Sequence, residues 1–133
     1  MDEYVLDTLI AIRKRITKPG SWCKGTLWHE GPGPKGLKNV RVSWCLKGAA
    51  IEERGTDSVI AIGVLFRLRD FSHKDWPIPR INDEESVEHQ HILDWLDAVI
   101  RYESKRLKKP VAAVHKARSR VRLHEFFSRI PVQ

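Results

Sequence analysis

Apolar positions recur at helical spacing along much of this 133-residue chain. Tyr4, Val5, Leu9, Ile12 and Ile16 fall on one face, which predicts a helix from about residue 3 to 17. Its last turn carries Arg13, Lys14 and Arg15, where the helix dipole favours cations, and Pro19-Gly20 ends it. From Trp44 to Arg54 the residues again favour helix, with Ser43 as the expected N-cap and Gly55 as the expected C-cap. The run Val59 to Phe66 is apolar on nearly every side and is read as a buried helix in preference to a central strand.

Between these segments the pattern breaks. Glu30 to Gly36 is rich in glycine and proline and reads as a loop, and residues 38–43 form only a short extended segment, with Val40 and Val42 alternating. Phe71 to Arg80, with Pro77 and Pro79, is expected to be irregular. Asn82, with Glu85 three residues on, has the form of a capping box, and Asp83 is an equal candidate for the cap. A long helix over about 83–108 would then place Val87, His91, Ile92, Trp95, Val99 and Tyr102 on one face. Pro110 breaks it, and residues 111–129 read as one further helix. The expected fold is therefore mainly all-α: a compact multi-helix domain over residues 1–102 and a basic C-terminal helical extension over 103–133.

Composition adds little until the charge is divided along the chain. The 41% of hydrophobic residues and five tryptophans suffice for one core. Residues 1–100 hold 14 Lys/Arg against 15 Asp/Glu, whereas residues 101–133 hold 10 against 2, so the excess of +7 lies wholly in the last quarter. Such asymmetry suits a polyanion, either nucleic acid or an acidic protein surface, although a solvated helix face has the same composition. On a helix, Val114, Ala117 and Val121 form a narrow apolar stripe flanked by Lys116, Arg118, Arg120 and Arg122, and Lys105, Arg106, Lys108 and Lys109 extend the basic strip backwards. Contacts of this kind read phosphates without sequence preference. No stretch has the roughly 18 apolar residues of a membrane span, and no secretion signal precedes the first helix, so a cytoplasmic location is expected.

Candidate chemistry centres on the two cysteines. Both follow a tryptophan and precede a glycine, as Trp22-Cys23-Lys24-Gly25 and Trp44-Cys45-Leu46-Lys47-Gly48. Cys23, with His29 nearby, is the better nucleophile candidate; Cys45 at a helix start would feel the dipole. Against both stands the commoner role of a cysteine beside tryptophan and glycine, that of a small buried side chain where backbones approach closely. Asn82 and Asp83 are explained by capping without acid-base chemistry. The six Cys and His candidates, Cys23, His29, Cys45, His73, His89 and His91, contain neither CxxC nor HxxxH, and His89 and His91 point to different sides of their helix, so no metal is expected. Gly31-Pro32-Gly33-Pro34 lacks the donor amides of a phosphate loop, and no cofactor is expected.

The order Trp22-Cys23-x-Gly25, Trp44-Cys45-x-x-Gly48-Ala49 and Ile81-Asn82-Asp83 before a long helix resembles an uncharacterised family of small bacterial and phage proteins. The resemblance covers roughly residues 4–102. An aromatic residue usually precedes the Asn-Asp pair in that family, and Ile81 stands there in this chain. The resemblance implies a shared fold and a phage or mobile-element setting, and it brings no activity. Three functional expectations follow: a non-enzymatic module binding nucleic acid through residues 105–122, a phage-type protein that binds and modulates a host protein, and a cysteine-dependent enzyme centred on Cys23.

Overall fold

The first helix, α1 (Asp2–Arg15), is the centre about which the others pack, because Val5, Leu6, Leu9 and Ile12 line one side of it. The structure, a computed structural model, describes residues 2–72, 76–110 and 125–128. After α1 come β1 (Trp28–Gly31), a single 3-10 turn at Pro34–Gly36, β2 (Val40–Trp44), α2 (Leu46–Arg54), α3 (Val59–Ser72), α4 (Ile78–Asn82) and α5 (His89–Arg106). Helix α1 touches α2, α3 and α5, and one continuous core joins them, with Trp95, Leu9, Leu46, Leu68 and Ile81 almost wholly buried. The protein is thus a mainly helical domain that carries one small hairpin.

Several boundaries differ from the sequence expectations, each for a local reason. The segment near 38–43 is the second strand of an antiparallel pair, and Glu30 and Gly31, expected in a loop, belong to the first strand. Ser43 does not cap α2. It lies in β2, and the cap is Cys45, whose Sγ accepts the amide N–H of Gly48 at 3.3 Å. Gly55 closes the helix as expected, its N–H donating to Ile51 O. Of the segment expected to be irregular, 71–72 and 78–80 are helical: α3 continues to Ser72, and α4 begins at Ile78 with Pro79 in its first turn, where the missing N–H has no helical partner to lose. The long helix starts at His89, later than residue 83. Glu88 is its N-cap, and His91 Nδ1 accepts the Glu88 N–H at 2.9 Å, taking the part that Glu or Gln plays in a capping box.

Helix α5 passes through Tyr102 and Glu103 without a break. Its end is tied to the start of α1: Arg106 reaches Asp2 at 3.2 Å and Glu103 at 2.7 Å, Arg67 bridges the same two carboxylates, and Lys109 reaches Glu3 at 3.0 Å. Arg106, and then Arg67, hold the Asp2 carboxyl below its ordinary value near 3.8. A depressed folded-state pKa stabilises above the unfolded value and is lost as the pH falls through the folded one. The acid limb of the stability profile below about pH 4 is therefore expected to flatten in Asp2→Asn, as urea midpoints measured across pH 2–6 would show. The chain meets α5 again at Phe126 and Phe127, both buried: Phe126 stacks on His91 at 4.9 Å, and Phe127 meets Trp95 edge-on at 5.4 Å.

Candidate functional site

The two Trp-Cys motifs lie side by side. The amide of Trp44 donates to Ser21 O at 2.9 Å and that of Cys23 donates to Trp44 O at 3.2 Å, which makes Trp22 and Trp44 partners in a parallel bridge. The repeat in the sequence is thus a register match in space, Trp beside Trp and Cys beside Cys. The first motif then turns back through Gly25, at φ +80°, so that Leu27 O accepts the amide of Cys45 at 3.1 Å. Gly48 makes this approach possible. A Cβ there would sit 1.8 Å from Leu27 O.

Asn82 seals the junction. Its side chain is fully buried, and its Oδ1 accepts both Trp22 Nε1 at 2.7 Å and the Leu46 amide at 3.2 Å. Its Nδ2 donates to Cys23 O and to Asp83 Oδ1, both at 3.0 Å, and Asp83 Oδ1 in turn accepts the Gly25 amide at 2.9 Å. The expectation that Asn82 or Asp83 caps the long helix is corrected: Asn82 is the last residue of α4, and its amide bridges the loop, the start of α2 and α4. Lys24 Nζ adds a bond to Glu84 O at 2.7 Å, and Trp22 stacks on His89, whose Nε2 lies 2.5 Å from Ile16 O. Every residue of the motif set Trp22, Cys23, Gly25, Trp44, Cys45, Gly48, Asn82 and Asp83 meets here.

This arrangement does not activate either thiol for fast attack at neutral pH. Burial, the largest influence on each, pushes both thiols up, where a catalytic cysteine needs its pKa lowered. Ser43, not His29, is the side chain that hydrogen-bonds Cys23. His29 is exposed on β1, opposite Ser43 of β2. Iodoacetamide at neutral pH is therefore expected to label both cysteines of the native protein without preference, on the order of tenfold or more slowly than in the unfolded chain. Fast, selective labelling of Cys23, followed by peptide mass spectrometry, would restore the enzyme reading. Among the described residues no group of three or more His, Cys, Asp or Glu is placed to hold a metal ion, and no helix is long and apolar enough to cross a membrane.

The basic candidates divide. Lys105 and Lys108 are exposed, whereas Arg106 and Lys109 are engaged with Asp2, Glu103 and Glu3. Lys116, Arg118, Arg120 and Arg122, with the helix expected over 111–129, lie outside the described residues except for a helical turn at 125–128. No local pattern signals these ion pairs, because acids at one end of a chain and cations at the other look independent until the fold joins them.

The chain belongs to a family of unknown function (DUF6197), whose sequence model matches residues 1–102. No curated protein and no solved structure matches it.

Proposed function

We propose that this member of a family without an assigned activity is a non-enzymatic binding module that contacts nucleic acid phosphates through the basic stretch 105–122. The concentration of charge carries the reading: residues 101–133 hold 10 Lys/Arg against 2 Asp/Glu. Of the eight Lys/Arg between 105 and 122, Arg106 and Lys109 pair with carboxylates of the body, and the phosphate contacts are assigned to the other six, Lys105, Lys108, Lys116, Arg118, Arg120 and Arg122. The stretch begins on α5 and is followed by Phe126 and Phe127, which pack on Trp95, so its flanks are fixed to the body. Arginine suits the role, since its planar fork pairs with phosphate oxygens and stays charged.

The test is fluorescence anisotropy with single- and double-stranded DNA and RNA at several salt concentrations. A chain cut at Tyr102 is a poor comparison, because it would also lose Glu103, Arg106 and the buried phenylalanines. Replacing Lys116, Arg118, Arg120 and Arg122 together by glutamine removes charge and spares those anchors. Binding by the native protein is expected to weaken steeply with salt, and the variant's logarithmic salt slope to fall by up to roughly four, about one per phosphate contact. Equal binding by both proteins, or none by either, overturns the proposal.

The second reading, a phage-type protein that modulates a host protein, is favoured by one surface. Val59, Ile62 and Phe66 stand exposed along one side of α3, beside a cavity of about 350 Å³ that Lys47, Leu65 and Ile78 also line. Exposed apolar stripes of this kind mark protein contacts more often than nucleic-acid contacts.

A further inference from the structure

The register that sets Trp22 beside Trp44 sets the next two residues, Cys23 and Cys45, beside each other. Of the two bonds of the parallel bridge, one is donated by the amide of Cys23 itself and the other by the amide of Trp44, the residue before Cys45, and Cys45 is still extended, at φ −79° and ψ 174°. Neighbouring strands run about 4.8 Å apart, within the Cα separation that a disulfide spans, and residues level with each other project to the same side. Both thiols are free and buried, Cys23 at 7% exposure and Cys45 at 3%, and Cys23 is close enough to act electrostatically on Cys45. Each sulfur has hydrogen-bond partners that a disulfide would displace, Ser43 among those of Cys23. Cys45 Sγ accepts the Gly48 amide at 3.3 Å, and Cys23 Sγ donates to Thr26 O at 3.9 Å.

We infer that Cys23 and Cys45 form an oxidisable dithiol site, closed into an intramolecular disulfide by a two-electron oxidant of the hydroperoxide class. Cys23, the more exposed thiol, loses its proton, and its sulfur attacks one peroxide oxygen. The O–O bond breaks and, with hydrogen peroxide, one water leaves and a sulfenic acid remains on Cys23. The sulfur of Cys45 then displaces the sulfenic hydroxyl, which departs with the Cys45 proton as a second water. Two thiols and one peroxide become one disulfide and two waters, so both sulfurs are oxidised and both peroxide oxygens reduced. The product ties the Trp22-Gly25 loop to the cap of α2 and encloses the whole hairpin. Reaction is slow, since burial disfavours both thiolates and only a small oxidant reaches them.

The experiment treats the full-length native protein with excess hydrogen peroxide for hours and then denatures, alkylates and weighs it. The expected result is a monomer that has lost two hydrogen atoms and both alkylatable thiols. A peptide map without reductant should join the peptides of Cys23 and Cys45, and dithiothreitol should restore both thiols. Cys23→Ser and Cys45→Ser should each abolish the internal link. Thiols that remain fully alkylatable, sulfurs that each gain oxygen separately, or a link between two chains would each overturn the inference. The readout on the unaltered protein does not depend on whether the serine variants fold, nor on whether the protein binds nucleic acid.

Discussion

Replacing Asn82 by alanine is expected to cost the fold roughly 3–5 kcal/mol, because each buried polar group left without a partner costs about 1–3 kcal/mol. The amide of Leu46 and the carbonyl of Cys23 lose their side-chain partner outright, and the indole N–H of Trp22 loses a 2.7 Å acceptor. A cavity at a site with no solvent exposure adds to the cost. Asn82→Asp is the discriminating companion. It keeps the Oδ1 acceptor for Trp22 and Leu46 but sets a carboxylate against Cys23 O and Asp83, so it should be destabilised to a similar degree. Urea unfolding followed by tryptophan fluorescence, with an unchanged denaturant slope, measures both. A cost below about 1 kcal/mol for Asn82→Ala would return Asn82 to the role of an ordinary cap.

Gly48→Ala reverses a common sign. Alanine in place of glycine inside a helix usually stabilises by about 0.5–1 kcal/mol, through helix propensity and a less flexible unfolded chain. At Gly48 the new methyl would lie 1.8 Å from Leu27 O and 2.6 Å from its carbonyl carbon, which are backbone atoms held by the bond to Cys45. Relieving that clash means separating the two Trp-Cys segments, at an expected cost of about 3 kcal/mol, the upper end for overpacking. Gly63 of α3 is the comparison. A methyl there meets only the movable Val5 Cγ2 at 3.2 Å, and the loss should be much smaller.

Where the sequence was legible, a long amphipathic face made it so. Helix α1, the body of α5 and the C-cap at Gly55 follow from periodicity and glycine placement. The hairpin was not legible, because β1 has only four residues and strand pairing is set by a partner elsewhere in the chain. At Asn82 the pattern misleads for a definite reason: Asn-Asp-x-Glu before an apolar run matches a capping box, and only the loop folded over it shows that its amide faces inward. The true box at Glu88 was hidden because histidine stands at its third position. The two Trp-Cys pairs were visible as a repeat but not as a register match, since nothing local says that residues 22 and 44 run parallel. Phe126 and Phe127 read as part of a basic tail, while the structure places them against Trp95 in the core.

Those bonds across the motif junction have a direct readout in native-state amide hydrogen exchange. If the junction of Trp22-Cys23 with Trp44-Cys45 is a buried structural seal, the amides of Cys23, Trp44, Cys45 and Leu46 will exchange only through global unfolding, as slowly as those in the middle of α1. The amides of Lys35 and Lys38, two exposed loop residues, will exchange orders of magnitude faster. Exchange of Cys23 and Trp44 at the rate of those loop amides would contradict the pairing and with it the structural meaning assigned to the repeated motif.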